Sequence, residues 1–291
     1  MSARAPAGEA RTDALRILHI SDLHFGKPCV PEAIDAMEAH LHGGDYDVVA
    51  ISGDVSQRAL SGEFQRAAAL IRDARRKAEV IIVPGNHDVA WWMSPLHIFG
   101  TEPIYRRYRR YISTNLEPVL RVPGATFVGV NTSHGVSWDT LTTRPRDVSI
   151  IGAVTTKQLE RVRSEFAGVA PGDLRAVVMH HNPVRGQLSH RFGVTHPDRI
   201  LEAYAASGVE LVLCGHDHQE AVHPAEKVHG IVVCTAGTLS DRSRMDRPSS
   251  FFSLTVSPRE IEVVTYFWTP RQGAYEPQAA QCFARSSRVS A

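Results

Sequence analysis

The sequence lacks the features that mark a membrane-spanning protein, a disulfide-bonded secreted protein or a strongly charged nucleic-acid binder. No apolar run approaches the roughly 20 residues that a membrane-spanning helix needs, so a protein without a membrane span is expected. Lysine and arginine number 32 against 31 acidic residues, so no overall field favours nucleic acid or an anionic membrane. Residues 1–13 contain no apolar stretch of the signal-peptide kind and are predicted to be a disordered lead.

Cysteine is scarce, and the four that occur show no paired spacing. They are Cys29, Cys214, Cys234 and Cys282. Two of them lie in apolar, strand-like runs, where free buried thiols are common. The pattern predicts a reducing compartment and therefore a cytoplasmic protein. No serine or cysteine nucleophile motif is evident either, so nothing indicates covalent catalysis.

What the sequence does contain is five polar segments that each follow a compact apolar run. The segments are His19–His24, Ser52–Asp54, Gly85–Asp88, Met179–His181 and Gly215–His218. The runs are Ile17–Leu18, Val48–Ile51, Val80–Val83, Ala176–Met179 and Leu211–Cys214. Their length and β-branched content predict buried strands. Each polar segment then lies just past the carboxyl end of a strand, where loops from neighbouring strands converge and sites are usually built.

The order of elements predicts a mixed α/β fold. Helical periodicity occurs at residues 32–41, 63–77, 156–166 and 198–206, between the strand-like runs. The late runs at residues 231–234, 251–256 and 261–267 follow one another closely and predict an antiparallel finish. We therefore expect a four-layer α-β-β-α sandwich of two mixed sheets, with helices outside.

One catalytic domain is expected, because the polar segments must meet in space. We predict that it covers residues 14–268, with an insertion at about 89–146 and a loose, aperiodic tail at 269–291. Within the insertion, residues 104–112 form an amphipathic pattern with tyrosines on one arc and arginines opposite. An aromatic face packed on the core is the favoured interpretation, and a phosphate-attracting arginine rim is the alternative.

Taken one at a time, the polar segments are weak signals. In Asp22-x-His24 and in His216-x-His218, residues two apart would point the same way along an extended segment. Gly215 would allow a close backbone approach or a positive φ. A turn could require Gly85-Asn86 without any chemistry.

Taken together and in order, the five segments resemble the calcineurin-like metallophosphoesterases. That family's signature is D-x-H, G-D, G-N-H-D, a lone histidine near a proline, and G-H-x-H, and all five are present across residues 17–237. Residues 51–58 and 83–88 are similar to the bacterial branch that hydrolyses cyclic nucleotides or other small phosphodiesters. The resemblance implies the sandwich fold and a binuclear metal site at the carboxyl ends of the strands.

The resemblance also implies a ligand set. It places Asp22, His24 and His218 on one ion, Asn86, His180 and His216 on the other, and Asp54 between the two. Oxygen and imidazole ligands without thiolates suit two divalent or trivalent ions such as Mn, Fe or Zn.

The lone-histidine position is ambiguous because His180 and His181 are adjacent and Asn182 intervenes before Pro183. We choose His180 as the ligand, since the family pattern places the ligand first. His181 is then a residue of the surrounding shell or of the substrate pocket.

The resemblance gives His87 a catalytic role at the leaving group, as electrostatic stabiliser or general acid, with Asp88 orienting it. Two ions about 3.5–4 Å apart would clamp the phosphate and supply a bridging hydroxide for in-line attack.

The expected partner is a small-molecule phosphoester, and a phosphodiesterase is the favoured activity. A phosphomonoesterase, a nucleotide pyrophosphatase and a nuclease are alternatives, although the balanced charge argues against the nuclease. An inactive scaffold should have lost ligands, whereas here the whole set is present. The sequence does not indicate the oligomeric state.

Overall fold

The computed structural model describes residues 14–140, 149–243, 245 and 247–285. The predicted lead at 1–13, the end of the predicted insertion at 141–146 and the last six residues lie outside this range. Thirteen strands in two sheets and five α-helices make up the described part.

The first sheet has seven strands. Three parallel strands form its centre and one edge: β1 (Leu15–Ile20), β2 (Val48–Ile51) and β3 (Glu79–Ile82). The late strands, β10 (Ser250–Val256), β11 (Glu260–Thr269), β12 (Ala274–Pro277) and β13 (Gln281–Ala284), extend it antiparallel on the other side of β1. The spatial order is β12-β11-β10-β1-β2-β3, with β13 also paired to β11.

The second sheet has six strands. Its parallel centre is formed by β5 (Ala125–Val130), β6 (Leu174–His181), β7 (Leu211–Gly215) and β9 (Val232–Thr235). Its antiparallel edges are β4 (Val119–Val122) and β8 (Ala221–His223). Both sheets are therefore mixed, as predicted.

Three hydrophobic layers show how the sheets and helices stack. Alternate strand residues such as Ile17 and Val178 meet between the two sheets. The opposite face of the first sheet packs on α1 (Pro31–Gly43) and α2 (Ser61–Ala74). The opposite face of the second sheet packs on α4 (Thr156–Ala167) and α5 (Pro197–Ala206). Because both faces of each sheet are covered, the central strands are apolar throughout, and the four-layer α-β-β-α sandwich is confirmed.

Two expectations about the end of the chain are wrong. The predicted run at residues 231–234 joins the second sheet, parallel to β7, rather than pairing with the later strands. Only β10 and β11 form the expected antiparallel pair. The tail is not loose over residues 269–285, because β12 and β13 pair with β11 and supply backbone hydrogen bonds that a composition-based argument cannot anticipate.

The amphipathic segment forms α3 (Glu102–Tyr111), whose apolar arc is buried. Tyr105 and Tyr108 lie in the core, while Arg109 lies over the Tyr105 ring. The interpretation that the aromatic face packs on the core is therefore confirmed. None of the helices in the described ranges has the length and hydropathy needed to cross a membrane.

Candidate metal centre

The structure brings all seven predicted metal ligands to one edge of the sandwich, at the carboxyl ends of parallel strands. Asp22 and His24 follow β1, Asp54 follows β2, and Asn86 follows β3 in a short 3-10 turn, Asn86–Asp88. From the second sheet, His180 is the last residue but one of β6, and His216 and His218 follow β7. Both sheets therefore contribute residues to one cluster.

Five of these residues have left-handed backbone conformations. They are Asp22, His24, Asp54, His216 and His218, with φ between 44° and 73°. The prediction that Asp22-x-His24 is extended is wrong, since β1 already ends at Ile20. A non-glycine residue in this region costs about 1–3 kcal/mol, and such strain concentrates at functional sites.

The first half of the cluster consists of Asp22, His24 and His218, with Asp54 at its border. The Nε2 atoms of His24 and His218 lie 2.9 Å apart. Asp22 Oδ1 lies 3.1 Å from His218 Nε2 and 3.6 Å from His24 Nε2. Asp54 Oδ2 lies 3.8 Å from His24 Nε2.

The second half consists of Asn86, His180 and His216. Asn86 Oδ1 lies 3.1 Å from His180 Nε2 and 3.0 Å from His216 Nδ1, and these two nitrogens are 3.3 Å apart. Asp54 Oδ2 lies 3.4 Å from His180 Nε2. One oxygen of Asp54 therefore faces both halves.

The carboxylates of Asp22 and Asp54 each accept hydrogen bonds from the protein with one oxygen, and their other oxygen faces the cluster. Asp22 Oδ2 accepts hydrogen bonds from the Ser21 hydroxyl at 2.6 Å and from His216 N–H at 3.0 Å. Asp54 Oδ1 accepts one from His87 N–H at 2.8 Å. The remaining oxygens, Asp22 Oδ1 and Asp54 Oδ2, are buried without a hydrogen-bond donor. An unpaired buried carboxylate oxygen is costly unless a cation binds it, so these two atoms fit metal ligands.

Two imidazoles are oriented in the same way. His180 Nδ1–H donates to the Ser52 carbonyl at 2.7 Å, and His218 Nδ1–H donates to the Arg242 carbonyl at 3.0 Å. Each bond fixes the tautomer whose Nε2 lone pair points into the cluster, as is usual for metal-binding histidines. Neighbouring ligands about 2.0–2.2 Å from one ion are themselves roughly 3–3.5 Å apart, which agrees with the observed separations.

His180 Nε2 lies within 3.1 Å of Asn86 Oδ1 and 3.4 Å of Asp54 Oδ2. His181 also lies close enough to His180 and His216 to share an ion with them. Between Val178 and His181, β6 has one residue more than β7 opposite it, and this bulge re-aims the side chains at the strand end. The His181 ring lies close to those of His180 and His216, with centroids 4.8 and 4.4 Å away. Its nitrogens, however, bond Thr132 Oγ1 at 2.7 Å and the Ile150 carbonyl at 2.8 Å. His181 therefore supports the loops around the cluster.

The electrostatics of the cluster favour a bound cation. Burial would raise the pKa of Asp22, but the adjacent His218 and His24 imidazoles outweigh it and hold that pKa well below its usual range. Burial would lower the pKa of His180, but the charge of Asp54 outweighs it and raises that pKa to about 9. Burial lowers the pKa of His216 to about 3, so this ring stays neutral. Metal binding requires ionised carboxylates and neutral imidazoles, so an ion that bound here would displace the proton held by His180.

Two glycines allow the strand ends to approach this closely. A Cβ at Gly85 would overlap the Asp54 carboxylate, and a Cβ at Gly215 would overlap the Ser21 hydroxyl and Asp22. Of the two predicted uses of Gly215, the close approach is the one observed, since its φ is not positive.

His87 lies beside the cluster, but Asp88 does not orient it. His87 Nδ1–H donates to the Gln57 carbonyl at 2.8 Å, which fixes the ring. The buried Asp88 carboxylate instead accepts from Ser56 N–H at 2.8 Å, from the Ser56 hydroxyl at 2.7 Å and from Gly85 N–H at 2.9 Å. The expectation for Asp88 is wrong because its side chain turns back to tie the loop after β2 to the loop after β3.

Arg242 is a site residue that the sequence reasoning missed. Its Nη1 donates to His87 Nε2 at 3.0 Å and to Gln57 Oε1 at 3.3 Å. Among the described residues no carboxylate pairs with it, so its positive charge faces the cleft beside the cluster. No spacing rule singles out one arginine of the loop after β9, and only the fold brings it to His87.

The cluster opens into a cleft of about 570 Å³. Asp54, Asn86, His87, His216, His218 and Arg242 line it together with Leu188 and Arg191. A small-molecule site is typically a concave space of this size with a few convergent polar groups.

The family comparison agrees with this geometry. The sequence profile of the calcineurin-like phosphoesterases matches residues 15–220. No curated protein sequence matches the chain.

Several solved structures share the fold. The purple acid phosphatase PPD1 from yellow lupin (Lupinus luteus) is 11% identical with a TM-score of 0.69, over 97% of this chain and 55% of that one. PhoD is 10% identical with a TM-score of 0.62, over 96% of this chain and 74% of that one. GAP50, the anchor in the inner membrane complex of Plasmodium, is 14% identical with a TM-score of 0.59, over 95% and 91%. The chain thus spans about half the length of the lupin enzyme, and at these identities the likeness shows the fold alone.

Proposed function

Because the chain belongs to the calcineurin-like phosphoesterase family, we propose that it is a metal-dependent phosphodiesterase acting on a small-molecule diester. The family match and the His/Asp cluster support a hydrolase of the phosphoesterase class with a metal site. The diester preference, the ligand assignment and the identity of the ions belong to the proposal.

The observation that carries the proposal is the position of Asp54 Oδ2. It lies 3.8 Å from His24 Nε2 and 3.4 Å from His180 Nε2, and it is buried without a hydrogen-bond donor. We assign Asp54 as the ligand shared by two ions. Asp22, His24 and His218 would hold one, and Asn86, His180 and His216 the other.

Two divalent or trivalent ions, with Mn, Fe and Zn best suited to this ligand set, would polarise the phosphoryl oxygens and make hydroxide available at neutral pH. The chain's own residues supply the rest. Arg242 presents a guanidinium at the cleft, where it can bind a phosphate oxygen in a charge-assisted hydrogen bond. His87 is held by Gln57 and accepts a hydrogen bond from Arg242 at Nε2. Once Arg242 turns to the phosphate, a protonated Nε2 could stabilise the departing oxygen or give it a proton.

The shape of the cleft supports a diester, because space extends from the cluster in two directions. One compartment, of about 350 Å³, runs past His216 toward Arg185, His190 and Phe192. The other, of about 600 Å³, runs past His87 and Arg242 toward Trp91 and Trp92. A diester has a substituent on each side of phosphorus, whereas a monoester has one. Compartments of this size suit a small organic group on each side.

A nuclease is less well supported. The stacking surface that it would need from α3 is buried, since Tyr105 and Tyr108 are core residues.

The prediction of a reducing, cytoplasmic location stays part of the proposal. It is supported by the four cysteines, all of which are free thiols.

The test is metal analysis of the purified protein followed by hydrolysis of bis(p-nitrophenyl) phosphate and p-nitrophenyl phosphate. We expect close to two ions per chain and a higher kcat/KM for the diester. Metal-loaded protein that hydrolyses neither ester would overturn the enzyme assignment. A higher kcat/KM for the monoester would overturn the diester preference alone.

A further inference from the structure

The compartment beyond His87 and Arg242 has an apolar wall that the metal chemistry does not use. Trp91 and Trp92 line it together with Leu60, Val89 and Ile150. The Trp92 side chain is 50% exposed, Leu60 48% and Ile150 43%. Single exposed apolar residues are ordinary, but several around one opening mark a binding surface.

The two tryptophans form a corner. Their ring centroids are 6.1 Å apart and their planes meet at 81°. A planar ring placed in this corner could stack on one indole face while its edge meets the other, and both arrangements are favourable for aromatic pairs.

Trp91 fixes the corner to the body of the protein. It packs against a small core formed by Val89, Ile104 and Tyr105, and it lies so close to Gly135 that a Cβ there would approach Trp91 Cβ to 2.7 Å. Trp92, by contrast, is half exposed. Trp91 is therefore held in place by core residues, whereas the Trp92 ring is accessible to a ligand.

The compartment is continuous with the metal centre. Asn86, His87, Ile150 and Arg242 line both it and the cleft over the cluster. The occupant of the corner is therefore a group attached to the phosphate rather than an unrelated peptide or lipid. Because His87 stands at the junction, that group is on the leaving side of phosphorus.

We propose that the Trp91–Trp92 corner binds a planar aromatic ring carried by the leaving ester group of the substrate. This inference rests on the proposed phosphodiesterase function and adds a substrate class, an aryl or nucleobase-containing ester. Arg242 stands between the ring and the metal centre, and the same guanidinium can hold the phosphate while the ring lies in the corner.

The test compares two non-hydrolysable probes, benzylphosphonate and cyclohexylmethylphosphonate, bound to the metal-loaded protein and measured by calorimetry. The two probes have the same charge and nearly the same volume. They differ in that only benzylphosphonate has a planar aromatic ring. Because both probes bury a similar apolar area, only the additional preference of an aromatic pair separates them, and this corresponds to roughly 2- to 10-fold in affinity. We expect benzylphosphonate to bind tighter by about that factor in the wild-type protein.

Substitutions at Trp92 test whether the corner causes the difference in affinity between the two probes. Trp92→Ala should reduce the ratio of the two affinities to near one, and Trp92→Phe should keep most of it. Trp138, which is 76% exposed and does not line the compartment, is the matched control, and Trp138→Ala should leave the ratio unchanged.

Equal binding of the two probes, binding of neither, or an unchanged ratio in Trp92→Ala would overturn the inference. Any of these results, combined with active hydrolysis of bis(p-nitrophenyl) phosphate, would leave the phosphodiesterase proposal standing. Probe binding with the expected ratio but without turnover of any ester would instead refute the enzymatic proposal.

Discussion

Arg242 Nη1 lies 3.0 Å from Nε2 of His87, so the guanidinium donates to the one nitrogen of that ring which faces the cleft. His87 Nδ1–H is already committed to the Gln57 carbonyl. The pair thus joins a fixed cation to the histidine proposed to act at the leaving group. An arriving phosphate would compete with His87 for the guanidinium.

The first prediction concerns Arg242. Hydrogen bonds to charged groups contribute about 1.5–3 kcal/mol, so Arg242→Ala should lower kcat/KM for a diester by roughly 10- to 100-fold, mainly through KM. Arg242→Lys should recover only part of the loss, because lysine keeps the charge but not the planar fork.

Metal content is the control for Arg242, since only its backbone carbonyl contacts His218 and both variants keep that carbonyl. Arg110→Ala, on an arginine that lies over the Tyr111 ring, should leave the kinetics unchanged. Wild-type kcat/KM in Arg242→Ala would show that the guanidinium does not bind substrate.

The second prediction concerns His87. The His87 ring is hydrogen-bonded to Gln57 and Arg242. It meets the His24 ring only edge to face, with centroids 4.9 Å apart, so His87→Ala should keep its metal. Turnover should fall by about 10²–10⁴, the range for loss of general acid–base assistance. Steady-state kinetics and metal analysis on the same sample measure both effects.

For His87, the comparison variant is His196→Ala, at an exposed position before α5, which should behave like the wild-type protein. If His87→Ala turned over at the wild-type rate, the histidine would have no part in the chemical step.

The third prediction concerns Asp54. Its Oδ2 faces both halves of the cluster, so Asp54→Ala should prevent binding of two ions and abolish turnover. Metal stoichiometry after dialysis measures this directly. Asp241→Asn, at an exposed acid in the loop after β9, should keep two ions. Full occupancy in Asp54→Ala would exclude a shared ligand at this position.

The fourth prediction concerns His19 and acid stability. Burial lowers the pKa of His19 to about 3, even though the nearby charge of Asp22 raises it. In the unfolded chain the pKa is about 6.5. Between these values the unfolded chain binds a proton that the folded protein excludes, so stability falls as the pH decreases from about 6.5 toward 3. The loss approaches about 1.4 kcal/mol at one unit below the unfolded pKa.

His19→Gln replaces the titratable imidazole with an amide that cannot bind a proton. The amide keeps a donor toward Ser52 Oγ, which His19 Nε2 contacts at 3.0 Å. Between pH 7.5 and 5.5, with a chelator present, its unfolding free energy should therefore fall by about 1 kcal/mol less than that of the wild type. Urea unfolding at both pH values measures the difference. Identical pH dependence in the two proteins would show that His19 does not titrate differently on folding.

From the sequence alone, the layers and the segments that meet in the cluster could be predicted. Apolar runs with polar segments at their ends predict buried strands, and parallel strands place their carboxyl ends at one edge. That argument brings the five polar segments together before any coordinates are known, and the family resemblance then implies which of their residues are ligands. It works because hydrophobic pattern and strand direction are properties of short stretches of chain.

Which atoms face one another could not be predicted from the sequence and depends on the three-dimensional fold. Left-handed backbone turns aim Asp22 and His24 into the cluster, and the bulge in β6 aims His180 there. Asp88 turns away from His87, and Arg242 arrives beside it from more than 150 residues along the chain. These orientations depend on contacts between distant segments, and no local pattern encodes such contacts. The same holds for β12 and β13, whose composition suggests a loose tail until β11 supplies their hydrogen-bond partners.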